Sequence, residues 1–99
     1  MDSEKRRRHP RYTGNVAAWV AWREKDGSHR HLMGRCVDIS VSGARIELAF
    51  SIPPGTNVTA GIPRLNLTAK AVVRHCTESM QLFAVGIEFK QRVEVKTAV

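Results

Sequence analysis

Arginines near the start of the chain have the chemistry to bind an anion. They are Arg6, Arg7, Arg8 and Arg11. A guanidinium group can hydrogen-bond a phosphate through two N–H groups, and it can also lie flat on a purine ring. Pro10 restricts the residue before it and favours an extended segment over a helix. The sequence therefore predicts an extended cationic arm that contacts an anionic ligand, and a guanine nucleotide would suit both properties of arginine.

A polar segment, residues 38–43, stands between two apolar stretches further along the chain. Asp38 and Ser40 can bond nearby backbone amides, and Gly43 can adopt the positive φ that a tight reversal needs. These residue types are common in turns, so the segment could be a turn and nothing more. The alternative is that its carboxylate and hydroxyl groups bind the same ligand as the arginine arm.

The two segments together resemble the signature of a known family. The motifs are Arg7-x-x-x-Arg11 and Asp38-x-Ser40-x-x-Gly43. Their order, their spacing and the strand-like pattern between them resemble the PilZ family of bacterial cyclic di-GMP receptors. The segment 86–89 is also similar to the closing strand of that family, so the resemblance covers roughly residues 5 to 89. It implies that the ligand is cyclic di-GMP.

The resemblance also implies a role for each residue of the two motifs. Arg7 and Arg11 would contact phosphates and stack on guanine, whose O6 and N7 atoms also suit an arginine. Asp38 would accept hydrogen bonds from the guanine N1 and N2 donors. Ser40 would bond the base edge or a phosphate, and Gly43 would let the backbone approach the ligand closely.

The number of arginines bears on how many ligands are bound. Two stacked cyclic di-GMP molecules carry four phosphate charges, and Arg6, Arg7, Arg8 and Arg11 supply four cations. We therefore expect two ligands per protomer, with Arg6 and Arg8 adding positive charge and a second stacking surface. The alternative for Arg6 is a solvated side chain without a role. An arm that becomes ordered on binding would change the surface presented to a downstream protein, whose identity the sequence does not show.

Composition sets the limits of these expectations. The 99 residues make one small domain, and a formal charge of +7 with a pI near 10.3 favours an anionic partner. A basic barrel that binds single-stranded nucleic acid is one alternative, but it needs exposed aromatics among the basic residues. Aromatics make up only 6% of the chain, which makes nucleic acid unlikely. An adaptor whose arm docks on an acidic protein or lipid surface is a third interpretation.

Several features point to a cytoplasmic location. The basic opening is not followed by the apolar run of a signal peptide. The longest apolar stretch, residues 16–22, is far shorter than the ~18 residues that span a bilayer, so no membrane span is expected. Cys36 and Cys76 lie in strand-like segments without a Cys-x-x-Cys motif, which favours buried free thiols.

Apolar residues alternate with other residues along short segments. They are Val16, Ala18, Val20 and Trp22; Ala44, Ile46 and Leu48; Val58, Ala60 and Ile62; Leu65, Leu67, Ala69, Ala71 and Val73; and Phe83, Val85, Ile87 and Phe89. With a strand over about 29–39, six strands result, which is typical of a closed barrel. The prediction is an all-β, six-stranded antiparallel PilZ-like β-barrel over residues 12–89, with a flexible basic arm over 1–11 and a short C-terminal tail over 90–99.

A hairpin connects the two motifs within this predicted fold. Asp26-Gly27 is a strong hairpin signal, so the first two strands should pair antiparallel about it. The residue opposite Asp38 would then lie near position 15, only a few residues from Arg11. The arm is therefore expected to emerge beside the polar segment.

Catalytic and metal-binding arrangements are not evident. His29 and His31 share a strand face, but no cysteine or carboxylate accompanies them in a ligand pattern, so surface histidines are favoured. Ser40 and Ser42 lack a nucleophile elbow and an evident histidine base. The sequence thus predicts a binding domain and not an enzyme, without a cofactor or metal.

Overall fold

The computed structural model describes residues 11–94, and these residues form a closed antiparallel barrel of six strands. The strands are β1 (Arg11–Arg23), β2 (His29–Ser40), β3 (Gly43–Leu48), β4 (Asn57–Ile62), β5 (Leu67–Ser79) and β6 (Leu82–Phe89). Their order around the barrel is β1-β2-β3-β6-β5-β4. The predicted all-β, six-stranded antiparallel barrel is confirmed. No helix within the described range is long and apolar enough to cross a bilayer.

The barrel interior holds the alternating apolar residues of the sequence. Val16, Ala18, Val20 and Trp22 on β1 are all buried, as the period of two predicts. The largest completely enclosed aliphatic side chains come from all six strands and one loop: Ile39, Ile46, Leu48, Ile52, Ile62, Val20, Val73 and Val85. Burial of each such side chain contributes ~1.5–3 kcal/mol to folding. A small domain therefore depends on the alternation along every strand.

The first hairpin forms at the predicted place. Gly27 has φ 90°, and the Oδ1 atom of Asp26 accepts hydrogen bonds from the N and Oγ atoms of Ser28 at 2.9 and 2.7 Å. Arg23 pairs with His29, so the connection contains five residues, 24–28, instead of a two-residue turn. This loop joins β1 and β2 tightly enough to fix their register.

The register of this hairpin differs from the prediction at its far end. Asp38 lies opposite Thr13, not opposite a residue near position 15. The reason is a bulge in β1 between Thr13 and Val16, which inserts one extra residue that no sequence pattern signals. As a result Arg11 pairs with Ser40, and the start of β1 lies closer to the polar segment than expected.

The positive φ predicted for Gly43 is wrong. Gly43 begins β3 without a positive φ, and only Val41 and Ser42 form the bend between β2 and β3. A Cβ atom on Gly43 would lie 2.4 Å from the carbonyl oxygen of Ile87 on β6. A glycine is thus required by the close approach of two strands, not by an unusual backbone angle.

The remaining elements close the barrel. Leu65, predicted in a strand, belongs to a short 3-10 helix, η1 (Pro63–Leu65), because Pro63 ends β4. β5 and β6 are joined by Met80 and Gln81, which have φ values of 53° and 70°. The seam between β1 and β4 consists of three residue pairs, all within the described barrel.

Hydrogen bonds attach the segment after β6 to the bend between β2 and β3. The amide of Phe89 donates to the oxygen of Ser42 at 2.8 Å, and the amide of Val93 donates to the oxygen of Val41 at 2.9 Å. Residues 91–94 contain neither helix nor strand. The rest of the predicted tail, 95–99, and the predicted arm, 1–10, lie outside the described residues.

Candidate functional site

One row of paired residues crosses five neighbouring strands. Thr13 on β1 pairs with Asp38 on β2, Asp38 pairs with Arg45 on β3, Arg45 with Gly86 on β6, and Gly86 with His75 on β5. Arg45 and His75 are exposed, whereas Ile46 beside Arg45, and Val85 and Ile87 on either side of Gly86, belong to the core. The topology therefore places a carboxylate, a guanidinium and an imidazole side by side on the outside of the barrel.

Every register shift in the described sheet lies next to this row. The shifts fall between Thr13 and Val16 on β1, between Cys36 and Asp38 on β2, and between Val73 and His75 on β5. A bulge bends a strand and changes the direction of the side chains beside it, and bulges are over-represented near functional sites. Three bulges that meet one row thus indicate that this surface is built to present particular side chains.

A cavity of about 230 Å³ lies along the row. Its polar lining contains three residues predicted from the sequence, namely Asp38, Ser40 and Gly43, and three that were not predicted, namely Arg45, Arg74 and His75. Ala44, Gly86 and Ile87 complete the wall. The structure therefore brings the second motif together at one surface cavity.

Side chains of the polar segment also bond within the bend beside this cavity. The Oγ atom of Ser40 accepts a hydrogen bond from the amide of Ser42 at 3.3 Å, and the two hydroxyl oxygens lie 3.2 Å apart. Cys36 donates from Sγ to the backbone oxygen of Asp38 at 3.4 Å, which supports the backbone at the bulge. The turn interpretation and the binding interpretation are thus compatible, because the same hydroxyl can shape the bend and border the cavity.

Positive charge dominates the far side of the cavity. Arg45 and Arg74 line it, and Nε of Arg74 lies 2.5 Å from Oε1 of Glu88. Both side chains of that ion pair are more than half exposed, at 60% and 53%, so the pair contributes little to stability. A phosphate in the cavity could therefore compete with Glu88 for Arg74 at low energetic cost.

Arg11, the last residue of the predicted arm, lies beside this cavity in the sheet. Arg11 is the first residue of β1 and pairs with Ser40, which borders the cavity. Arg6, Arg7 and Arg8 lie outside the described residues. β1 therefore begins beside the second motif.

The β5 residues of the cavity were missed because they lie far from both motifs in sequence. The available signal was a break in alternation: after Val73, the polar residues Arg74 and His75 follow one another before Cys76 resumes the pattern. Two successive outward residues indicate a bulge, which is what β5 contains. The two predicted surface histidines, His29 and His31, are exposed.

A small closed barrel with a polar cavity on its outer wall defines a ligand-binding domain. Within residues 11–94 no group of three or more potential metal ligands is present. The sequence matches the model of the PilZ domain family over residues 5–98, so the chain belongs to the PilZ family. This membership confirms the interpretation as a binding domain and not an enzyme.

Solved structures with the same fold include known nucleotide complexes. YcgR from Escherichia coli in complex with c-di-GMP has a TM-score of 0.61 at 18% identity, over 85% of this chain and 38% of that chain. The PilZ domain of the same protein with c-di-GMP has a TM-score of 0.60 at 16% identity, over 86% and 78%. The MrkH–c-di-GMP complex of K. pneumonia has a TM-score of 0.58 at 16% identity, over 87% and 45%. A search of curated protein sequences gave no significant match.

These matches cover most of this chain but less of the YcgR and MrkH chains. Most of this chain is covered, but it spans only 38% of the YcgR chain and 45% of MrkH. At these identities the likeness establishes the fold alone. What the chain binds must therefore be argued from its own residues.

Proposed function

We propose that this PilZ domain is a receptor for cyclic di-GMP. The observation that carries the proposal is the cavity that gathers Asp38, Ser40 and Gly43 beside Arg11 of the arginine motif. Family membership supports it, and so do the c-di-GMP complexes formed by the structural neighbours. The anionic, aromatic ligand also fits the cationic side of the cavity.

The proposed roles follow from the chemistry of each group. Asp38 accepts hydrogen bonds from the N1 and N2 donors of guanine, for which a carboxylate is the complementary acceptor. Ser40 bonds the base edge or a phosphate. Arg7 and Arg11 bond the phosphates and stack on guanine, and Gly43 lets the backbone approach the ligand closely.

The proposal includes two ligands per protomer and a signal to a partner protein. Arg6 and Arg8 add the charge that a second ligand requires. The arm becomes ordered over the nucleotide and so changes the surface that the partner meets. A cytoplasmic location suits the two free thiols, Cys36 and Cys76.

Calorimetric titration with cyclic di-GMP tests the proposal. Arg7→Ala and Arg11→Ala should each weaken binding by roughly tenfold or more, because a lost charge-assisted hydrogen bond costs ~1.5–3 kcal/mol. Arg64→Ala is the matched control, since Arg64 is an exposed arginine on η1 outside the cavity. Unchanged affinity in the Arg7/Arg11 double variant, with an intact circular dichroism spectrum, would contradict the assignment.

Asp38→Ala separates guanine recognition from general attraction of anions. Loss of a carboxylate strengthens nonspecific polyanion binding, because it removes a repulsive charge. If Asp38 contacts guanine, the variant binds cyclic di-GMP more weakly while its binding of a short single-stranded RNA stays equal or becomes tighter. Glu78→Ala removes the same charge from an exposed site on β5 outside the cavity and serves as the control. Tighter cyclic di-GMP binding by Asp38→Ala would favour a nucleic-acid-binding barrel.

A further inference from the structure

The imidazole of His75 lies with one face against the backbone of Gly86. A Cβ atom on Gly86 would be 2.1 Å from Cε1, 2.5 Å from Nε2 and 2.7 Å from Nδ1 of His75. A point at such similar distances from three consecutive ring atoms lies above the face of the ring, since a point beyond its edge would be much nearer to the middle atom. β6 therefore has glycine at this position because the imidazole occupies the space of a side chain.

The second face of the same imidazole remains open. His75 is exposed and borders the cavity that also contains Asp38 and Arg45. A ring with one face fixed on a strand and the other facing a cavity can stack on a flat ligand with little loss of side-chain freedom. Histidine is among the side chains on which unstacked bases are held in nucleic-acid recognition.

We infer that His75 forms a stacking platform for one purine base of the ligand, with Gly86 as the residue that positions the ring. This inference rests on the proposed function and extends it to β5, outside both sequence motifs. It divides the recognition of one base between two strands: Asp38 on β2 contacts the base edge, and His75 contacts the base face.

Titration of histidine variants with cyclic di-GMP tests the inference. His75→Ala should weaken binding by roughly five- to hundredfold, the range for loss of one base–ring stack. His75→Phe keeps a flat ring and should retain most of the affinity. His31→Ala is the matched control, because His31 is an exposed strand histidine stacked on Trp19 at 5.4 Å and lies outside the cavity. It should leave the affinity unchanged.

A second variant tests the position of the ring separately from its presence. Gly86→Ala places a methyl group where the imidazole lies, so the ring must move away. This variant should lose affinity to about the same extent as His75→Ala, and thermal unfolding followed by circular dichroism shows whether the barrel is retained.

Two negative results have different meanings. If the unaltered protein binds cyclic di-GMP and His75→Ala binds within twofold of it, the stacking platform is wrong and the proposed receptor function stands. If the unaltered protein does not bind cyclic di-GMP, the proposed function fails and the inference fails with it.

Discussion

Gly61 and Gly86 show what glycine does on the wall of this barrel. A Cβ atom on Gly61 would lie 2.1 Å from the ring of Trp19, and one on Gly86 would lie 2.1 Å from the ring of His75. Each glycine therefore makes room for an aromatic ring that lies across the neighbouring strand. Sequence reasoning assigned glycine to turns by its freedom in φ, which holds at Gly27 and does not explain these two positions.

At the scale of a single residue, one prediction concerns Arg6 and the number of ligands bound. We predict that the unaltered chain saturates at two cyclic di-GMP molecules and that Arg6→Leu saturates at one while it keeps appreciable affinity. A bulky apolar residue there removes one of the cations that the second ligand needs and obstructs its position. Titration well above the dissociation constant measures the ratio directly.

The control for this prediction is Arg64→Leu, which makes the same change on η1, outside the cavity. It should still bind two molecules. Saturation of the unaltered chain at one ligand would contradict the prediction, as would two ligands bound by Arg6→Leu.

At the scale of the element, all six strands were predicted, and the polar second half of β5 was the main stretch that was missed. β3, β4 and β6 occupy nearly the predicted segments, because their apolar residues recur with a period of two. β5 continues to Ser79, although its second half is polar and has no alternation to reveal a strand. Pairing with β6 supports that half, and pairing partners cannot be identified from a single strand.

The β5–β6 hairpin was missed for a related reason. Met80 and Gln81 both have positive φ values, yet neither residue type favours this conformation. At Asn66, by contrast, the chain has a residue that tolerates the left-handed region. Pairing in the rest of the sheet therefore has to offset the cost of the two positive φ values at this hairpin.

Replacing both hairpin residues should stabilise the domain. Met80→Asn with Gln81→Gly supplies the residues that a two-residue turn prefers, and we expect the free energy of unfolding to rise by roughly 1 kcal/mol. Urea denaturation measures this as a higher midpoint. Met80→Ala is the control: the side chain is 93% exposed, so its removal alone should leave stability nearly unchanged. An unchanged midpoint in the double variant would show that the turn is not strained.

At the scale of the whole molecule, half of the candidate site could be predicted from sequence. Asp38, Ser40 and Gly43 lie in one motif and were found together. Arg45 and His75 join them only because β3 and β6 carry the row from β2 to β5. Such a neighbourhood depends on strand order around the barrel, which local patterns do not contain.

The two thiols should report on opening of the barrel. Cys36 is fully buried, and this burial raises its pKa to about 11. Because the thiolate is the reactive form, Cys36 is protected at pH 8 both by enclosure and by protonation. Cys76 is only half-buried. Iodoacetamide followed by mass spectrometry should therefore modify Cys76 first and Cys36 only at the rate at which the barrel opens.

The variant Cys76→Ser leaves Cys36 as the single thiol, so its modification reports the rate at which the barrel opens. The raised pKa of Cys36 also makes the stability of the fold depend on pH. The neutral thiol contributes fully to the free energy of unfolding below the ordinary cysteine value of 9.0, and this contribution is lost as the pH rises toward 11. Modification of Cys36 as fast as Cys76 in native buffer would contradict the prediction.

The cavity on the outer wall would also make ligand capture a test of correct folding. It takes residues from four strands, β2, β3, β5 and β6. A slip of one residue in any of these strands turns its contribution from the surface to the interior. A misregistered barrel therefore has an incomplete site even if it is compact and rich in strands. If the proposed function is correct, the fraction of a preparation that immobilised cyclic di-GMP retains should equal the fraction whose four strands are aligned as in the native molecule.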